Sequence, residues 1–526
     1  MAHHYVGGDR DQLFLLATSM GDWLDEGHLA WFMIDVVAKV DTAAFHARHP
    51  NTAAGRPAYN PDMMLALLFY AYGIGLRSSR RIEAACRTDA AFRVITGNAT
   101  PDHATLARFV VEHEAAITAC FVDVLRLCAA AGLVSVGTIA VDGTKMAADA
   151  ALDQNRQAEW IRDQVARIVA EVTATDAAED GQAAMFGPGG LPDGLATRSG
   201  RQARLAAALA QIEAADAAAR AEADQAAGAA RAAAVEGRKL PGPKPTADPH
   251  AALARAEADW QAARVRIDAA VAKRAAKYLR LQSAKVAAGV KMTGTAPAGL
   301  WRKERAELAR VERRVEAARV AAETPPVAVH ANITDPDSRI MKTRTGYVQG
   351  YNCQAAVNEH QIVVAAAVTQ EANDSRQYQP MVDAAITTLA AIGITATIGM
   401  VLADAGYWSE ANTTSAGPDR LIATLKDWKQ RRAARDLGTT TGPPPPHASA
   451  LEAMEHRLRT PQGATEYAKR SHTVEPVFGN EKHNRGWAAF RRRGLPAVSS
   501  EWALINISHN LGKLFDHQRA TRPATT

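Results

Sequence analysis

The sequence predicts a mixed α/β core of sheet and flanking helices, interrupted by an Ala-rich all-helical insertion and preceded by an all-helical N-terminal domain. Three observations predict it. Short amphipathic helical patterns fill residues 11–130, Ala with interspersed Arg, Glu and Asp dominates 150–325, and strand-like apolar runs occupy 131–149 and recur through 326–517. A length of 526 residues allows roughly two to four domains, and a hydrophobic content of 47% is ordinary for a globular chain.

In the N-terminal region, "NPDMMLALLFYAYGIGL" places Asn60 or Pro61 at a helix start and turns Met63, Leu65, Leu67 and Leu68 inward. "SSRRIEAACRTDAAFRVITG" reads as the next helix, with Ser78 and Ser79 as caps and Arg80, Arg81 and Arg87 beside Ile82, Ala85 and Cys86. "TPDHATLARFVVEHEAAI" opens a further unit on Thr100, Pro101 and Asp102. A helix-turn-helix style of DNA binding makes Arg80 and Arg81 candidate DNA contacts, although a basic helix face is more often simply solvated.

The Ala-rich region favours long antiparallel helices, and its sparse large apolar residues imply thin, coiled-coil-like packing. "MFGPGGLPDG" and "KLPGPKPTADPH" read as loops between them. Lys273, Lys277 and Arg280 fall at i, i+4 and i+7, a candidate track for DNA phosphates; base rates favour a solvated face.

In "VGTIAVDGTKMAADA" an apolar run ends at Asp142 and is followed by Gly143, which by itself reads as a strand entering a turn. Further on, "YVQGYNCQAAVNE" and "QIVVAAAVTQ" meet at "NEHQ" as a hairpin, and "SRQYQPMVDAAITTLAAIG" reads as a helix. "TIGMVLADAGYWSEAN" is a second apolar strand ending in an acid, Asp404. Two such ends side by side would make a metal site. "RLIATL" adds a strand, "TTTGPPPPHAS" a polar loop, and a segment around Glu475 leads to the closing helix "SEWALINISHNLGKLF".

Other residues have blander readings. Asp335 and Asp337 flank Pro336 and read as a turn, Tyr407 and Trp408 as packing beside the site, and His103 and His113 as capping or surface residues. Cys86, Cys120, Cys128 and Cys353 contain no CxxC pair, so neither a zinc site nor a disulfide framework is indicated. The net charge of +5 favours a polyanionic partner only weakly. No apolar run reaches the ~18 to 20 residues of a membrane span, and the opening "MAHHYVGGDRDQ" lacks a signal-peptide layout, so a cytoplasmic protein with no membrane partner is expected.

The element order resembles the RNase H-like fold, in which neighbouring strand ends and one helix bring three carboxylates together. "TPDHATLARF", "AVDGTK", "NITDPDSRIMK", "GYNCQAAV", "VLADAGYWSE" and "VEPVFGNEKHNRGWAAFRRRGL" resemble the blocks of bacterial insertion-sequence DDE transposases, over residues 11–148 and 326–517. The resemblance implies catalytic, metal-binding acids at Asp142, Asp404 and Glu475, and DNA contacts at Tyr467, Arg470 and Lys482. It also implies two Mg²⁺ ions with Mn²⁺ as substitute, double-stranded DNA (terminal inverted repeats and target) as partner, a homodimer or higher active complex, and a cytoplasmic, nucleoid-associated location.

Lys482, seven residues beyond Glu475, falls two turns along an α-helix on nearly the same face. Two features depart from the family pattern. Four residues rather than three separate Arg470 from Glu475, and the long insertion follows the first acid instead of preceding the glutamate. A metal-dependent nuclease without strand transfer and a non-catalytic DNA-binding protein are the alternative functions.

Overall fold

A computed structural model of the chain describes residues 19–47, 58–157, 249–290, 300–323, 330–343, 345–425 and 438–521, with short pieces within 160–221. It divides into two compact units, Met1–Gln154 with Asp337–Thr526, and Asn155–Pro336.

The first unit holds a six-stranded mixed sheet: β1 Thr138–Ala147, β2 Arg339–Thr343, β3 Gly346–Asn358, β4 Val363–Thr369, β5 Met400–Ala403 and β6 Asp419–Ile422. The order is β2-β3-β1-β5-β6, with β4 also paired to β3. β3 runs antiparallel to β1, β2 and β4, while β5 is parallel to β1 and β6 to β5. The hairpin expected at "NEHQ" joins β3 to β4, where Asn358 accepts the Ile362 N–H through its side chain at 3.0 Å. β3 crosses the middle of the sheet, and its apolar Cys353, Ala355, Ala356 and Val357 are fully buried.

Helices α1 (Leu29–Val37), α2 (Pro61–Gly73), α3 (Ser79–Thr88), α4 (Ala90–Thr96), α5 (His103–Glu112) and α6 (Glu114–Ala130) precede the sheet. Asn60 caps α2 by accepting the Asp62 N–H, with Pro61 at the first turn; Leu65, Leu67 and Leu68 are buried and Met63 is half-buried. The single helix expected over residues 78–97 is two helices. Asp89 ends α3 and caps α4, accepting the Ala91 and Phe92 N–H groups at 2.8 and 3.3 Å, so a carboxylate inside the apolar pattern starts a new helix. Ser78 precedes α3 but makes no side-chain cap bond. Of the capping or surface roles expected for His113, the structure gives the cap position between α5 and α6, where the ring is buried against Phe45 and Phe109 and makes no side-chain cap bond to α6. His103 lies exposed beside Glu83.

α9 (Tyr378–Ala391) packs on β4, and α14 (Leu495–Thr521) packs against α2, α6 and β4. One buried core therefore runs from the N-terminal helices into the sheet. Trp502, Ile505, Ile507 and Leu511 fill it from α14, each contributing ~1.5 to 3 kcal/mol by burial. Asn510 donates to the Val363 carbonyl and accepts the Val363 N–H, both at 2.9 Å, which satisfies β4's backbone under the helix. Buried Glu501 takes Arg77 at 3.0 Å and the Arg491 and Arg492 N–H groups.

In the second unit, α7 (Pro249–Ala287) and α8 (Arg302–Glu323) run antiparallel, as the pairs Asp259–Arg314, Arg266–Glu307 and Arg274–Glu304 require. Ala254, Ala263 and Ile267 of α7 and Val311 of α8 are buried, a thin seam in keeping with the composition. Residues 155–157 and 330–332 form a short antiparallel pair. The loop expected at 185–194 and residues 239–248 of the one expected at 239–250 lie outside the described residues; Pro249 and His250, expected in that loop, begin α7.

Candidate functional site

Parallel pairing of β1 with β5 sets Val141 opposite Ala403 and ends there. Asp142 and Asp404 are the next residues along the two segments, so two neighbouring apolar runs deliver two carboxylates just past the last parallel pair. The turn reading of Asp142 is overturned: β1 continues through Gly143 to Ala147, with Asp142 paired to Ala355 and Gly143 to Gln354 on β3. Asp404 does lie at a turn, its Oδ1 accepting the Gly406 N–H at 2.7 Å.

The C-terminal segment brings the third acid. Helices α10 (Ala450–Arg459), α11 (Pro461–Ala468), α12 (Arg470–Thr473) and α13 (Glu475–Gly479) lead past the sheet end. Arg470 places one guanidinium nitrogen 2.6 Å from Asp142 Oδ2 and another 2.9 Å from Glu475 Oε1. The Glu475 side chain is 55% exposed, against 16% for Asp142. Burial first, with the Asp404 and Asp374 charges adding to it, pushes the Asp142 carboxyl up to about 7 against the lowering pull of Arg470 and the Gly143 N–H.

Tyr467 donates its hydroxyl to the Ala403 carbonyl at 3.3 Å, and Lys482 donates to the Lys145 carbonyl at 2.7 Å. Tyr467 therefore contacts the end of β5, just before Asp404, and Lys482 contacts β1, which carries Asp142. Burial holds the Lys482 ammonium below its ordinary range. Lys482 does not lie two α-turns along from Glu475, because Asn480–Asn484 is a π-helical turn that changes the angular step per residue.

One acid is absent from the sequence reading. Asp374, in the link between β4 and α9, accepts from Asn352 at 2.7 Å, Gln354 at 2.9 Å and Lys145 at 3.3 Å through Oδ1. Its segment, "QEANDSRQ", is a polar linker whose composition and periodicity mark no residue out. Tyr407 is buried with its hydroxyl on Gln354, and half-buried Trp408 packs on the core, as expected for packing residues. Pro336 and Asp337 form the expected turn, and Asp337 accepts the Leu495 N–H at 2.8 Å.

Arg80 and Arg81 are exposed on α3, where Arg87 pairs with Glu83 instead. Lys273, Lys277 and Arg280 are exposed on α7. All four cysteines are free and buried.

Carboxylate oxygens are the hard donors Mg²⁺ takes, and that ion is commonly held by one or two carboxylates plus substrate phosphates. The half-buried Asp142 and Asp404 carboxylates are donors of that kind, and the Asp404 charge raises the Asp142 pKa, so a cation beside Arg470 at this pair would relieve their repulsion. Among the described residues no group of three or more His, Cys, Asp or Glu side chains is placed to hold a metal ion, so Asp142, Asp404 and Glu475 do not converge as such a group. Nor does any described helix have the length and apolarity to cross a membrane.

A transposase domain model (DUF772) matches residues 18–112, and a transposase DDE domain model matches residues 429–515. The second match contains Tyr467, Arg470, Glu475 and Lys482; Asp142, Asp404 and the Ala-rich residues 150–325 lie outside both. No curated protein and no solved structure matches the chain. A transposase domain match before the sheet and a transposase DDE domain match after it together support an insertion-sequence DDE transposase.

Proposed function

We propose that this transposase binds the terminal inverted repeats of its own element, cleaves the DNA there with divalent metal and transfers the 3′ ends to target DNA. The observation that carries the reading is the neighbouring placement of Asp142 and Asp404, each the next residue after the last parallel pair of β1 and β5. The strand order, an antiparallel β4-β3-β1 set continued by parallel β5 and β6, supports an RNase H-like core for that chemistry.

In this reading Asp142 and Asp404 hold the metal ions and Glu475, more exposed and tethered through Arg470, completes the ligand set. Two bound Mg²⁺ ions would activate the attacking oxygen and stabilise the leaving oxygen at one phosphorus, with Mn²⁺ able to replace them. Arg470, Tyr467 and Lys482 orient the DNA backbone beside the acids, Lys482 as a compact charge suited to a phosphate. Arg80 and Arg81 contact the terminal repeat, and Lys273, Lys277 and Arg280 contact DNA phosphates on α7. The active complex contains two or more copies, acting on the bacterial chromosome in the cytoplasm.

Sequencing the DNA on either side of the gene supplies the repeats, and a labelled duplex carrying them is the substrate. Asp142→Asn, Asp404→Asn and Glu475→Gln should retain gel-shift binding and lose cleavage, since neutral amides are poor ligands for paired divalent ions. Supplying pre-cleaved ends with a free 3′ hydroxyl separates strand transfer from simple nuclease action. Near-normal cleavage by Asp142→Asn would remove the metal reading.

A further inference from the structure

We propose that Asp374 is a positioning residue for the metal-holding pair: its carboxylate locks the Asp404 turn against β1 and β3, and so fixes the spacing of Asp142 and Asp404. The inference rests on the reading of those two acids as metal ligands.

Four observations carry it. Gly143 and Lys145 on β1 lie opposite Gln354 and Asn352 on β3, and the three polar side chains of that patch all donate to one oxygen of Asp374. Both glycines beside the acids make room for this carboxylate. A β-carbon on Gly143 would lie 2.6 Å from Asp374 Oδ1, and one on Gly406 would lie 3.1 Å from Asp374 Oδ2 and 2.9 Å from Asp404 Oδ1. Neither glycine is in the left-handed region, so side-chain space and not backbone freedom accounts for them.

Gln354 extends the network by accepting the buried Tyr407 hydroxyl, three residues beyond Asp404. Finally, the linker and the turn are joined directly. The Asn412 amide donates to the Ser375 carbonyl at 2.6 Å and the Tyr407 carbonyl at 2.8 Å, and Asn352 donates to the Glu371 carbonyl at 3.1 Å.

Asp374 therefore has one oxygen saturated by β1 and β3 donors while the other faces the Asp404 turn. That is the arrangement of an outer partner that orients a ligand, and loss of such partners typically weakens metal affinity by about 10- to 100-fold. Asp374→Asn keeps the shape and one acceptor but loses the charge. The network then holds the turn less firmly, while the core that folds the chain is untouched.

The test is a calorimetric titration of Mn²⁺ into the full chain bound to its terminal-repeat duplex, comparing wild type with Asp142→Asn, Asp404→Asn and Asp374→Asn, alongside thermal unfolding without metal. Asp374→Asn should unfold near the wild-type temperature, bind Mn²⁺ about 10- to 100-fold more weakly and regain cleavage when Mn²⁺ is raised, which a folding defect would not allow. Asp142→Asn should lose the metal response altogether.

Wild-type Mn²⁺ affinity in Asp374→Asn, with the response lost in Asp142→Asn, would overturn the proposal and leave the acid pair standing. Complete loss in Asp374→Asn would also overturn it, by making Asp374 a ligand itself. A metal response that survives in both Asp142→Asn and Asp404→Asn would instead remove the underlying reading, and this inference with it. If Asp374→Asn does not fold, Tyr407→Phe, which deletes only the hydroxyl on Gln354, should weaken Mn²⁺ binding in the same direction by a smaller factor; unchanged affinity there would overturn the proposal.

Discussion

Arg470 lies 2.6 Å from Asp142, an ion pair between β1 and α12 with side chains 12% and 16% exposed. Removing the guanidinium leaves a carboxylate in a setting that already resists ionisation, a change that typically costs about 3 to 5 kcal/mol. Arg470→Ala should lower stability at pH 8 by about 3 kcal/mol in urea unfolding. In an Asp142→Asn background, where no charge remains to be stranded, the same substitution should cost much less. Additive losses in that double-mutant cycle would show that the two residues do not depend on each other.

His509 makes stability sensitive to acid. Its ring is buried in α14 with Nε2 donating to the Gln361 carbonyl at 2.8 Å, and burial pushes its pKa down from 6.5 to about 4. The unfolded chain takes up the proton first as pH falls. This contribution is therefore complete above about 6.5 and is lost progressively down to about 4, by ~1.4 kcal/mol per pH unit and roughly 3 kcal/mol in all. Urea unfolding of His509→Gln across that window should show a shallower loss than wild type. Parallel curves would rule out His509 as the cause.

The two exposed basic faces should separate DNA affinity from folding. Arg80→Glu with Arg81→Glu should leave the unfolding temperature within a degree or so, because surface substitutions usually stay within about 0.5 kcal/mol. It should also weaken terminal-repeat binding and lower the salt dependence by roughly 2 in logarithmic slope, about 0.9 for each phosphate no longer neutralised. Lys273→Glu, Lys277→Glu and Arg280→Glu together should leave folding alone and weaken assembly of the protein–DNA complex, followed by gel shift and native mass. Unchanged binding and transposition by either set would return that face to the solvated reading.

The residues themselves determined the local elements of this protein. Asn60–Pro61 and Asp102 start helices through caps that need only a few neighbouring residues, and "NEHQ" makes a hairpin because the strand-like runs on either side leave few residues for the connection. The two apolar runs that end at Asp142 and Asp404 were legible for the same reason, as was the antiparallel pairing of the Ala-rich helices. Tertiary structure decided what depends on partners distant in sequence. Asp-Gly after an apolar run is compatible with a turn, and only pairing with β3 carries β1 on to Ala147. The carboxylate of Asp89 split a helix whose apolar pattern looked continuous, and burial against Phe45 and Phe109 removed His113 from the surface. Asp374 was invisible in a linear reading because a lone acid in a polar linker has no periodicity; its three donors come from β1 and β3, and only the folded sheet gathers them around one oxygen.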